Sequence, residues 1–279
     1  MKFFYTTFFA FLITFSANAD SSNWLTSLDQ AKKIALGSNK LILVDFWATW
    51  CGPCKRMDAE SWSKKEVQIL MNDYVSVKID IDRNRSLAQK YGVQGIPYIF
   101  IMDGNGKVVY QQMSYKRKSE VIKLLKKYAI NTSYLSADMI NYYKKQNFIT
   151  AFRLGIKYQD YSLHLGDSLR NDIIDVSTKY LDEARNYLKE TEIKNKTLLK
   201  QKLDLFTIQE YLILNRPEKA LKKLNKLHDN DLQEGNKKFY AFLKYVAYLQ
   251  KNDEEMITKT KDEISETDLK KAELFIATI

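Results

Sequence analysis

A chain of 279 residues that is 45% hydrophobic and 28% charged can bury a sizeable core in one or two domains, and its composition excludes disorder. Only nine Gly and three Pro favour helix over a many-turned β fold. The net charge of +10 is uneven: 18 Lys/Arg against 11 Asp/Glu in residues 20–132, and 25 against 23 in residues 133–279. Such a balance would suit acidic partners or a membrane surface, but no tight basic run with interleaved aromatics occurs. It reads as a solvated lysine-rich surface, with no nucleic-acid partner expected.

The chain opens MKFFYTTFFAFLITFSANAD, with one Lys and then apolar or hydroxyl residues from Phe3 to Phe15. Ala17-Asn18-Ala19 has the small-x-small pattern of a cleavage site. At about 1.5 Å per residue this stretch falls short of the ~30 Å hydrocarbon layer. Residues 1–19 are therefore expected to be a secretory signal cleaved before Asp20, with an uncleaved anchor as the alternative. No later segment is apolar for long enough to span a bilayer, so no stable membrane insertion is expected after cleavage. Export across an inner membrane into the bacterial periplasm follows from this reading.

The two cysteines are Cys51 and Cys54. One pair is not a disulfide scaffold for an exported chain. A structural zinc needs four ligands, and the histidines, His164 and His228, lie far from Cys51, so no metal site is expected. Each His reads as an ordinary helical residue, surface or half-buried. A structural or a catalytic disulfide remains.

The flanking elements bear on that choice. TSLDQAKKIALGSNK reads as a helix with Leu28, Ala31, Ile34 and Ala35 on one face and Gly37 placed to end it. LILVDFWA (41–48) has the near-continuous apolar character of a strand buried on both faces. Asp45 is the anomaly there, costing several kcal/mol unless protonated, paired or hydrogen-bonded; the bland alternative is a strand-end Asp facing water. WCGPCKRMDAESW then turns helical, with Pro53 tolerated in the first turn. Cys51 at the helix N-terminus would be a stabilised thiolate with a lowered pKa, and so the nucleophile. Cys54, one turn further in, could close the disulfide while shielded from reacting first.

YVSVKIDID (74–82) predicts a second strand carrying Lys78. In residues 91–114, Gly104-Asn105-Gly106 marks a hairpin turn between two apolar strands. SEVIKLLKKYAI (119–130) predicts an amphipathic helix, apolar at Val121, Leu124, Leu125 and Tyr128.

VDFWATWCGPCK, KIDID, YGVQGIP and DGNGKVV, in that order and spacing, resemble the thioredoxin family over about residues 40–130. The resemblance implies an α/β thioredoxin-like fold, a central mixed sheet with helices on both faces. It implies that Cys51 attacks, Cys54 resolves, Asp45 relays a proton to Cys54, and Lys78 neighbours that carboxylate. It also implies a cis Ile96-Pro97 bond facing the disulfide, with the Ile96 main chain binding a substrate strand beside Trp50, Gly52 and Pro53. No cofactor is expected. Tyr98 stands where cytosolic thioredoxins usually carry Thr, and Gln112-Met113-Ser114 lacks the Gly that flattens the family's docking groove. The broken helix AESWSKKEVQILMNDY is more similar to exported thioredoxin-like domains, such as those ending membrane electron carriers. These departures bear on the substrate rather than on the thiol chemistry.

Residues 133–279 predict an all-α helical-repeat or bundle region. Three similar stretches align on Asn147, Asn215 and Asn252 and resemble a degenerate tetratricopeptide array; an unrelated bundle is the alternative. Residues 20–132 are expected to fold alone. Two functions fit. One is an exported thiol-disulfide oxidoreductase, a reductase acting on protein disulfides with a membrane or periplasmic electron donor. The other is a redox-sensing or adaptor protein whose helical region binds partners. The intact Trp50, Cys51, Pro53, Cys54, Asp45 and Pro97 favour the enzyme.

Overall fold

In the computed structural model the run LILVDFW forms β1 (Leu41–Trp47), buried at every position but the last. Residues 24–227 and 231–276 are described; the expected signal segment, residues 1–19, and His228 lie outside them. Strand order is β2-β1-β3-β4. β2 (Tyr74–Asp80) runs parallel to β1 with Lys78 opposite Asp45, while β3 (Tyr98–Met102) pairs antiparallel to β1. β4 (Val108–Met113) returns antiparallel to β3 across the Gly104–Gly106 turn.

Period-two alternation sends the β1 side chains to two cores. Ile42, Val44 and Phe46 join Leu28, Ala31 and Ala35 of α1 (Leu28–Ser38). Leu41 and Leu43 face a cluster built from α2 (Gly52–Met57), α3 (Lys65–Met71) and α5 (Lys118–Tyr128), with Val121, Leu124, Leu125 and Tyr128 buried as expected. Asp45 shares the Leu41 and Leu43 face by the same alternation. A short α4 (Arg85–Lys90) follows β2. Two local expectations are corrected. Gly37 lies inside α1, and Asn39, at φ 56°, is the C-cap. Ile34 is exposed and Leu36 takes the buried place.

The second half is helical: α6 (Ser136–Lys144), α7 (Phe148–Ser162), α8 (Asp167–Glu190), α9 (Lys196–Ile213), α10 (Pro217–Leu224), α11 (Lys237–Lys251), α12 (Glu254–Lys261) and α13 (Glu266–Ile276). Asn147, Asn215 and Asn252 each sit in a helix–helix turn. Their geometries differ: Asn147 is extended (φ −157°) and caps α7, whereas Asn215 and Asn252 are left-handed. The 24-residue α8 also interrupts the alternation of paired helices. His164 lies exposed in the α7–α8 turn rather than in a helix. Among the described residues no helix is long and apolar enough to cross a membrane.

The two halves share one buried cluster, which runs from Leu43 and Ile101 through Tyr128 to Met139, Tyr158 and Tyr180. Gly104 lies so close to Leu36 and Met139 that a Cβ there would come within 3.0 Å of both side chains. Beside it Asp103, fully buried, accepts the N–H groups of Asn105 and Lys107 and the O–H groups of Tyr158 (3.0 Å) and Tyr180. Tyr128 and Lys127 each donate to Asp172 of α8 at 2.8 Å. Composition changes near Thr132, but packing does not, so independent folding of residues 20–132 is not what this core provides. A chain cut after Thr132 leaves Asp103 without either hydroxyl and is expected to lose its cooperative urea transition. In the full chain, Tyr158→Phe with Tyr180→Phe should lower stability by about 2–5 kcal/mol in urea melts, because each leaves a buried acceptor less satisfied.

Candidate redox site around Cys51 and Cys54

The chain leaves β1 at Trp47, turns through Ala48–Trp50 and enters α2 at Gly52, which places Cys51 as the helix N-cap. Cys51 and Cys54 form a disulfide with a Cα–Cα distance of 5.3 Å. Cys51 Sγ accepts the Cys54 backbone N–H at 3.1 Å, satisfying one of the donors that a helix start leaves open. Shielding does not separate the two residues, which are 3% and 2% exposed. The asymmetry lies in this cap instead: the sulfur of Cys51 faces the helix N-terminus, where positive partial charge favours a thiolate.

Around the disulfide, Ala48, Trp47, Ile81 and Ile96 form an apolar collar. Gly52, Pro53 and Trp50 are exposed beside it, and Trp50 Nε1 donates to Asp82 Oδ2 at 2.8 Å. The Ile96-Pro97 bond is cis. No hydrogen bond involves the Ile96 main chain among the described residues. Where the expected groove glycine is missing, Ser114 adopts φ 86° and donates its N–H to Pro97 O at 2.9 Å. Met113, partly exposed, lies over Gly95.

Asp45 is 1% exposed, not a strand-end residue facing water. Its Oδ2 lies 3.6 Å from Lys78 Nζ, and its Oδ1 has no hydrogen-bond partner. Burial pushes its carboxyl up to about 7; the Lys78 ammonium opposes that shift and the Asp58 carboxylate adds to it. Ile96 and Trp47 pack against the two cysteines, the Lys78 ammonium lies 4.9 Å from the Trp47 ring centre, Asp45 precedes Trp47 by two residues in β1, and Trp50, Gly52, Pro53 and Pro97 adjoin the collar along the chain. Sequence reading missed Asp82, Asp58 and Trp62; only the placement of Asp82 at the end of KIDID, close after the strand bearing Lys78, could have signalled one of them. A cleft of about 1000 Å³ between β4 and α8 is lined by Lys107, Tyr110, Tyr142 and Lys179 among others, and by neither cysteine.

Two outcomes follow from this geometry. The positive φ of Ser114 is costly for a residue with a Cβ, so Ser114→Gly should raise stability by about 1 kcal/mol in urea melts. For Asp45 the folded chain holds its proton more tightly than the unfolded chain, whose carboxyl titrates at the ordinary 3.8. Stability should therefore fall as pH rises from about 4 to about 7 and level off above that. Asp45→Asn should be more stable than the native chain at pH 8, by up to roughly 4 kcal/mol, with the gap closing towards pH 4.

Known proteins place the first half. The thioredoxin family model matches residues 22–127. The thioredoxin of Chlorobaculum thiosulfatiphilum is 37% identical over 92 residues, which is 32% of this chain and 79% of that protein. The thioredoxin of Bacillus subtilis is 36% identical over 98 residues, 33% of this chain and 85% of the relative. The crystal structure of a Nicotiana alata thioredoxin aligns at 37% identity over 36% of this chain and 80% of its own, with a TM-score of 0.30. The chain belongs to the thioredoxin family and is a thiol-disulfide oxidoreductase carrying a Cys51–Cys54 pair.

Proposed function

We propose that the chain is an exported protein-disulfide reductase, working in the bacterial periplasm after removal of residues 1–19, with residues 20–132 as the catalytic unit and 133–279 as a helical unit. The observation that carries the chemistry is the Cys51 sulfur capping α2. In the reduced protein the Cys51 thiolate attacks one sulfur of a substrate disulfide. A Cys51–substrate mixed disulfide forms, and the other substrate sulfur leaves as a thiolate and takes up a proton. Cys54 then gives its thiol proton to the Asp45 carboxylate and attacks Cys51 Sγ. The second substrate thiolate departs, and two electrons have passed to the substrate while the Cys51–Cys54 disulfide forms. Lys78 supports the charged form of Asp45.

The Ile96 main chain, free of internal partners, suits pairing with an extended substrate strand, with Trp50, Gly52, Pro53 and Pro97 beside it. A membrane or periplasmic dithiol donor would return the electrons. The helical unit, whose charge is near neutral, holds particular protein partners and raises their local concentration.

Iodoacetamide at neutral pH should label Cys51 before Cys54 in the reduced protein, and Cys54→Ser should accumulate mixed disulfides with periplasmic proteins while Cys51→Ser does not. Preferential labelling of Cys54, or trapping by Cys51→Ser alone, would contradict the assignment.

A further inference from the structure

After Met57 the helix does not continue as α-helix. Residues Asp58–Trp62 form a single π-helical turn, a form that is rare and frequent at functional sites. Its first and last residues, Asp58 and Trp62, both act on the buried carboxylate. Asp58 makes an ion pair with Lys78, the shorter of that lysine's two contacts with carboxylates. Trp62 is 3% exposed, and its indole N–H, near enough to favour the charged form of Asp45, completes no hydrogen bond.

Lys78 has few other choices. Its ammonium lies 4.9 Å from the centre of the Trp47 ring and 5.8 Å from that of Trp24. Trp24 is fixed there because Leu25 bonds to the edge of β2, its N–H to Ser76 O and its carbonyl to Lys78 N–H. Trp24 also meets Trp62 edge-on at 5.2 Å. The charged side chains facing Asp45 are thus Lys78 from β2 and Asp58 from the π turn.

We propose that Asp58 is a positioning residue: by holding the Lys78 ammonium away from Asp45 it keeps the buried carboxyl protonated to higher pH, and so sets the pH at which Cys54 can release the mixed disulfide. This rests on the relay reading of Asp45. The physical basis is competition. One ammonium serves two carboxylates, and the partly exposed one, with water to stabilise its charge, takes it more closely. The buried one is left with an unpartnered oxygen, which favours its neutral form.

The test follows the Asp45 carboxyl by carbon-13 NMR across pH in the oxidised full-length protein, beside the pH profile of mixed-disulfide release. Asp58→Asn frees Lys78 for Asp45 and removes a repelling charge, so the Asp45 midpoint should move to lower pH, with proton affinity reduced about tenfold. The release profile should move with it, and Asp58→Glu should restore both. Lys78→Met should move the midpoint the opposite way. An Asp45 midpoint unmoved or raised in Asp58→Asn overturns the proposal. The relay reading fails separately, if Asp45→Asn keeps the native release profile, while the NMR midpoint still decides the role of Asp58.

Discussion

Asp45 sits in the central strand with one carboxylate oxygen unpartnered and the other facing a lysine that is more closely held elsewhere. A charge in that position costs several kcal/mol, and a neutral carboxyl costs much less. The surrounding features make sense around this constraint. β1 and β2 run in a register that sets Lys78 opposite it. The helix after Cys54 widens into a π turn instead of passing straight by. Two tryptophans lie beside the ammonium and limit its access to water. The result is a carboxyl that changes charge near neutral pH, which is the property required of a group that accepts a proton at one step and returns it at another.

The disulfide supplies the second half of the chemistry by a different means. Cys51 gains its character from backbone geometry, as the residue whose sulfur completes a helix start. Asp45 gains its character from burial. The two groups thus sit in unlike environments, a helix start for Cys51 and a buried strand position for Asp45, within one short segment of fold.

Much of this was legible in the sequence, for identifiable reasons. Strong local signals located β1, the Cys51–Cys54 turn, the hairpin at Gly104–Gly106 and the apolar face of α5, because period, turn residues and helix start all agreed there. The anomaly of Asp45 was visible because a carboxylate interrupts an apolar run. Asp58 was invisible for the opposite reason: an acidic residue in a helical stretch normally faces water, whereas this one, at the end of α2, pairs with a lysine of β2. The C-cap at Asn39 displaced the expected Gly37 because the helix has room for two more residues before β1 begins. The joint between the halves was also hidden. Asp103 in a D-G-N-G turn looks like turn chemistry, and it does bind the turn's own N–H groups. Its second oxygen, however, is committed to tyrosines 55 and 77 residues away, pairings that no local pattern announces.

The shared core changes how the helical half relates to the active half. A buried carboxyl satisfied from both sides makes the halves one packing unit, so partners held by the helices would be presented to a disulfide in a fixed relation rather than on a loose tether. As a reductase, this unit would donate electrons to protein disulfides. The most direct measurement is the reduction potential of the Cys51–Cys54 pair, by equilibration with a glutathione redox buffer at pH 7. A reductase requires a value near thioredoxin's, about −270 mV; a value near −120 mV, the range of a strong oxidant, would contradict it.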